Sequence, residues 1–140
     1  MNIRTFQLSD YRVVADLMAV ALSEECCEET MGALARQLSW DSELVLVAEK
    51  GDSIIGLMIG TIDHNKGYVY RLAVHPDYRR QGVGKTLVSA MNVRFRQRNV
   101  LKVLIAGDKH NEQLLPFYES LKEVTLGFAK LAKPLSIMAI

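Results

Sequence analysis

Between Tyr68 and Arg98 an apolar strand pattern, a charged loop and a helix opening on two glycines follow one another, and this succession constrains the chain more than any other stretch. Tyr68-Val69-Tyr70-Arg71-Leu72-Ala73-Val74 is rich in strand-favouring residues. Val83, Leu87, Ala90, Met91 and Phe95 recur at three- and four-residue spacing, which predicts a helix from about Val83 to Arg98. Between them lies His75-Pro76-Asp77-Tyr78-Arg79-Arg80-Gln81-Gly82, and Val83-Gly84-Lys85-Thr86 opens the helix. A helix N-terminus has unpaired N–H groups and partial positive charge, so it attracts anions. Gly82 and Gly84 let a phosphate approach the backbone, and Arg79, Arg80 and Lys85 add full charges. The ligand expected there is a phosphate or pyrophosphate.

Two familiar phosphate loops do not fit. Gly84-Lys85-Thr86 ends like the nucleotide-binding P-loop, but that motif needs a glycine where Arg79 stands. A dinucleotide fingerprint beginning at Gly82 needs a glycine where Leu87 stands. In both motifs the strand also feeds almost directly into the glycines, whereas a charged loop intervenes here.

The rest of the chain reads as alternating strands and helices. Ile3 to Leu8 is a first strand, and Ser9 is placed to cap a helix with Val14, Leu17, Met18, Ala21 and Leu22 on one face. A second helix carries Met31, Leu34 and Leu38, after a junction crowded by Glu24, Glu25, Glu28 and Glu29. Leu44 to Ala48 and Ile54 to Ile62 flank the turn Lys50-Gly51-Asp52 as an antiparallel hairpin. Leu101 to Ala106 reads as a central strand, Asn111 to Leu121 as a short helix, and Val124 to Leu126 and Ser136 to Ile140 as closing strands. The expected architecture is α/β (α+β), one domain over 1–140, with a single mixed, mostly antiparallel sheet flanked by helices.

Charge and composition exclude several function classes. The 17 basic and 16 acidic residues leave a formal charge of +1, so no global field draws the chain to nucleic acid or anionic membrane. No apolar run approaches the roughly 20 residues that span a bilayer, and Met1-Asn2-Ile3-Arg4 lacks the apolar core of a secretory signal. Cys26 and Cys27 are adjacent, a spacing that rarely bridges, and two cysteines with few histidines build no structural zinc site. They read as half-buried thiols in a reducing cytoplasm, with an acyl-cysteine as the minor alternative.

Arg79-Arg80-Gln81-Gly82-Val83-Gly84, following Arg71-Leu72-Ala73-Val74-His75-Pro76, resembles the signature of the GCN5-related N-acetyltransferase family. Asn111-Glu112-Gln113-Leu114-Leu115-Pro116-Phe117-Tyr118-Glu119 resembles that family's last helix, and the element order agrees over nearly the whole chain. The resemblance implies the family's acyl-CoA N-acyltransferase fold and transfer from acetyl-CoA to a primary amine by direct attack in a ternary complex, with no metal. It assigns the pantetheine arm to the backbone of Leu72, Ala73 and Val74. The pyrophosphate falls to Arg79, Arg80, Gln81, Gly82, Val83, Gly84 and Lys85, with Thr86 as a further contact. Asn111 would touch the pantetheine region, Phe117 would pack beside the CoA arm, and Tyr118 would protonate the departing thiolate.

The chain departs from the family pattern in two places. The strand before the phosphate loop offers Tyr68, Tyr70 and Arg71 but no carboxylate, so the proton acceptor is open among a water chain, Asp63 and His64. That gap keeps a non-catalytic CoA-binding or regulatory module of the same fold as the alternative. Leu121-Lys122-Glu123 follows the Phe-Tyr pair where relatives place Gly-Phe, and Gly127-Phe128 comes later. The four glutamates could attract a cationic amine, though helix N-termini favour acidic residues with no ligand at all. Ile137-Met138-Ala139-Ile140 is apolar enough to pair across a homodimer.

Overall fold

The computed structural model describes residues 1–121, the backbone of 128–130, and Ile137. In chain order the elements are β1 (Asn2–Thr5), α1 (Tyr11–Ala21), α2 (Glu24–Asp41), β2 (Val45–Lys50), β3 (Ser53–Asp63), β4 (Lys66–Val74), α3 (Val83–Gln97), β5 (Lys102–Ile105), α4 (Lys109–Gln113), α5 (Leu115–Ser120) and β6 (Phe128–Lys130). The six strands form one sheet in the order β1-β2-β3-β4-β5-β6. Junctions from β1 to β4 are antiparallel, and β4–β5 and β5–β6 are parallel, which makes the mixed sheet that the sequence leads one to expect.

The period-two alternation of β2 sends Leu46 and Ala48 to one core and Val45 and Val47 to the other. The first core is closed by Val83, Leu87, Met91 and Phe95 of α3 and by Tyr118 of α5. The second is closed by Val14, Leu17 and Met18 of α1 and Ala33 and Leu34 of α2. Helices therefore cover both faces of the sheet. Gly60 lets α3 lie close, since a Cβ there would meet Met91 Sδ at 2.9 Å.

Several boundaries differ from the sequence reading for identifiable reasons. β1 ends at Thr5, and a 3₁₀ turn at Leu8–Asp10 precedes α1. Asp10, not Ser9, organises that start: its carboxylate accepts from Gln7 N at 2.8 Å and pairs with Arg4 at 2.8 Å. Leu101 is 73% exposed and stands outside the strand. The helix expected over Asn111 to Leu121 begins at Lys109, where Asp108 caps it by accepting from Asn111 N at 2.9 Å. It divides at Leu114 because Pro116 has no N–H to offer and its ring crowds the carbonyl four residues back. The strands expected at Val124 to Leu126 and Ser136 to Ile140 lie outside the described residues, apart from Ile137, which is buried in the second core.

One irregularity sets the shape of the site. Arg71 stands opposite Ile59 and Val69 opposite Gly60, so Tyr70 is an extra residue in β4. Such a bulge interrupts alternation and bends the strand. Val69 and Leu72 face the first core and Tyr70 the second, while Arg71 reaches α2 on the same side as Tyr70. Two consecutive side chains thus point to the α1–α2 face.

Candidate active site

Just past the bulge, β4 and β5 part. Their parallel ladder runs from Lys66↔Lys102 to Val69↔Ile105, and its last rung is Ala106 N to Val69 O at 3.0 Å. Asn111 sits in the opening. Its Nδ2 donates to Tyr70 O at 2.9 Å and to Ala106 O at 2.8 Å, so one amide holds both strands apart at a fixed distance. Its Oδ1 accepts from Arg71 Nη1 at 3.2 Å. Arg71 is fully buried, donates from Nε to Thr30 Oγ1 at 2.9 Å, and pairs with Asp108 at 2.9 Å. The Asp108 partner keeps this guanidinium charged against the cost of burial. Arg71 and Asn111 thereby join α2, β4 and the start of α4 into one polar wedge.

Beyond the wedge, Leu72, Ala73 and Val74 line a cavity of about 1320 Å³. Leu72 O accepts a hydrogen bond from His110 Nε2 at 3.0 Å. The N–H and C=O of one strand residue face the same edge, so the Leu72 N–H is also directed at the opening. At the far end of β4 the chain turns through His75-Pro76-Asp77-Tyr78 into the phosphate loop. His75 Nδ1 accepts from Asp77 N at 3.1 Å there. Arg80 and Gly82 take positive φ, 62° and 84°, and Gly82 is the N-cap of α3. The N–H groups of Val83, Gly84 and Lys85 lie in the first turn and have no partner within the helix. Arg79, Arg80, Gly82, Val83, Gly84 and Lys85 all line the cavity. Arg79 is held by Val74 O and Ala21 O, each at 3.3 Å, which ties the loop to the end of α1.

Four of the expected residues stand elsewhere. Gln81 donates to Asp77 O at 3.3 Å and Thr86 Oγ1 to Gly82 O at 2.7 Å; neither lines the cavity. Asn111 is 1% exposed, with its side-chain amide committed to the wedge rather than offered to a ligand. Tyr118 is 1% exposed and off the cavity wall, its ring edge-on to Phe117 at 5.4 Å. Burial raises its phenol well above the ordinary value, so it holds its proton at neutral pH. Phe117 does line the cavity and packs on Gly84, where an added Cβ would come within 3.1 Å of the ring.

The opposite wall comes from the end of α1 and the start of α2, with Glu25, Cys26 and Glu29 facing the cavity. Glu24 and Glu28 do not line it. Burial raises the Cys26 thiol, so it is the thiol form that faces the site. Asp63 and His64 pair with one another at 2.7 Å on the β3–β4 turn. That turn is separated from Val74 by the length of β4, roughly 25 Å at strand rise, which removes both from the site. His110 is a titratable lining residue that the sequence reading passed over, as it did Arg36, Asp108 and Lys109. Its signal was its place directly before Asn111, at the helix start facing the strand.

The arrangement suits a long anionic ligand: a positive helix end for phosphates at one extremity, and an open strand edge for an extended arm at the other. Among the described residues no group of three or more His, Cys, Asp or Glu is placed to hold a metal, and no helix is long and apolar enough to cross a membrane.

Comparison with known proteins agrees. The model of the Acetyltransferase (GNAT) family matches residues 12–122. An acetyltransferase of Yersinia enterocolitica is 32% identical, covering 98% of this chain and 97% of its own length. One of Pectobacterium atrosepticum is 30% identical, covering 96% of each. Among solved structures, the PaiA N-acetyltransferase from Thermoplasma acidophilum in complex with coenzyme A superposes with a TM-score of 0.70 at 21% identity, over 85% of this chain and 86% of that one.

Proposed function

The chain belongs to the acetyltransferase (GNAT) family of acyl-CoA-dependent N-acetyltransferases, and from that premise we propose that it moves an acetyl group from acetyl-CoA to a primary amine by direct attack in a ternary complex. One observation carries this reading: a single cavity joins the N-terminus of α3 to the strand edge exposed where β4 and β5 part. The residues present fit acetyl-CoA. Val83, Gly84 and Lys85 amides with Arg79 and Arg80 suit a pyrophosphate, and the edge of Leu72 to Val74 suits an arm with peptide-like amides. The Leu72 N–H is directed where a thioester carbonyl would lie, and a donor there stabilises the oxyanion formed on attack. The amine would enter from the α1–α2 side, past Glu25 and Glu29. The C–N bond forms as the C–S bond breaks, and one proton passes from nitrogen to sulfur. Tyr118 is assigned the final protonation, which its retained proton supports.

Calorimetric titration of protein freed of co-purified CoA tests the premise, and saturable one-to-one binding of acetyl-CoA is expected. Folded, ligand-free protein that takes up no heat on titration refutes it. The alternative, a CoA-binding module without turnover, draws on the position of Tyr118 off the cavity wall. Tyr118→Phe separates the two: an enzyme loses turnover about 10²-fold with acetyl-CoA affinity held, as expected for removal of a general acid.

A further inference from the structure

We propose that His110 is the group that accepts the proton of the attacking amine. The inference rests on the acetyl-transfer reading above and supplies the acceptor that β4, without a carboxylate, does not. Its first ground is direct contact with the strand edge. His110 Nε2 lies 3.0 Å from Leu72 O, and the residue lines the cavity. A backbone carbonyl only accepts, so Nε2 carries the hydrogen. In a neutral imidazole the lone pair then belongs to Nδ1. The base is thus held in one tautomer by the strand residue whose N–H is directed at the thioester carbonyl, an orienting contact of the kind that serves activated bases elsewhere.

The second ground is elimination among the lining groups. Glu25 and Glu29 stand exposed on α2, with no bond to the strand edge. Asp108 is engaged by Arg71. Cys26 and Tyr70 are raised by burial and hold their protons at neutral pH. His110 is shifted the other way: burial, with Arg71 of β4 and Arg79 of the phosphate loop, lowers it, against the upward pull of Leu72 O and Asp108. It is therefore unprotonated at neutral pH. A base this weak suffices, because the nitrogen becomes strongly acidic once the C–N bond has formed. The proton goes to Nδ1, the electrons of the C–S bond leave with sulfur, and the imidazolium then loses its proton to solvent.

Two measurements test the proposal, and the first needs no turnover. ¹⁵N spectra of the imidazoles of the free protein at pH 7 should show His110 with hydrogen on Nε2 and none on Nδ1, titrating below the ordinary histidine value. A protonated Nδ1 at that pH overturns the proposal. The second follows CoA release from acetyl-CoA with n-butylamine as acceptor, across pH. His110→Gln keeps a donor for Leu72 O, so acetyl-CoA affinity should hold within about twofold while kcat falls about 10²-fold. The inflection on the acid side of the ordinary histidine value should leave the kcat/KM profile with it, while the slope set by ionisation of n-butylamine itself remains. Retention of that inflection with kcat within threefold of wild type overturns the proposal and leaves acetyl transfer standing. Wild-type protein that binds acetyl-CoA but releases no CoA to the amine overturns both. Failure to bind acetyl-CoA removes the premise itself.

Discussion

The two ends of the cavity are built on different terms. At the glycine loop the groups proposed to hold the phosphates are backbone N–H donors, and what shapes them lies within a few residues: Gly82 at positive φ, the start of α3, and basic side chains beside it. At the strand opening the working geometry is made by side chains from distant parts of the chain, Thr30, Arg71, Asp108 and Asn111. A local device needs little from the rest of the fold. A tertiary device is part of what holds the fold together, so damage to it should appear first as lost stability and only then as lost binding.

Arg71→Met should test this contrast most severely. Removing one partner of a buried ion pair costs about 3–5 kcal/mol. The Asp108 side chain retains 21% exposure, which places the expected loss near the lower end, about 3 kcal/mol by urea unfolding. A loss under 1 kcal/mol would mean that the wedge is a ligand site rather than a support. Asn111→Ala comes next. It takes a donor from Tyr70 O and leaves Ala106 O only Asp108 N at 3.2 Å, and a buried acceptor left unpaired costs about 1–3 kcal/mol. If Asn111 served mainly as a contact for the CoA arm, the variant would keep its stability and lose affinity; the opposite pattern is expected.

These residues also mark where sequence reasoning stops. The glycines, the basic cluster, the helix beginning at Val83 and the antiparallel hairpin were legible because each depends on nearby residue types. The bulge at Tyr70 was not, because it shows only as a register difference between two strands and leaves no composition signal. Without it, Tyr70 and Arg71 fall on opposite faces, and Arg71 cannot be placed against Thr30. The motif likewise identified Asn111 but assigned it to the ligand, since its partners Tyr70 O and Ala106 O are main-chain atoms with no trace in a residue string. His110 was hidden for the same reason: its partner is the Leu72 carbonyl.

Within the loop, stability effects should be small and ligand effects larger. Gly82→Ala imposes positive φ on a residue with a Cβ, worth about 1–2 kcal/mol, although no atom crowds the new methyl within 4 Å. The thermal midpoint should fall modestly, and acetyl-CoA should bind more weakly as the first turn of α3 relaxes.

Arg80 offers the finest test, because stability and binding should move in opposite directions. Its φ of 62° is costly for any residue with a Cβ, yet an arginine occupies the position, exposed and on the cavity wall. Arg80→Gly removes the strain, about 1–2 kcal/mol, and adds the chain entropy of glycine, about 0.5–1 kcal/mol, on the other side. The net expectation is a gain of about 0.5 kcal/mol in urea unfolding. The same change deletes a cation from the pyrophosphate end, and a lost charge-assisted contact near 1.4 kcal/mol weakens acetyl-CoA tenfold. More stable protein with weaker binding would show that the loop keeps a strained arginine for its charge. Unchanged affinity would instead leave the backbone amides and Arg79 as the whole of the phosphate site, and the strain at Arg80 would then be a consequence of the turn alone.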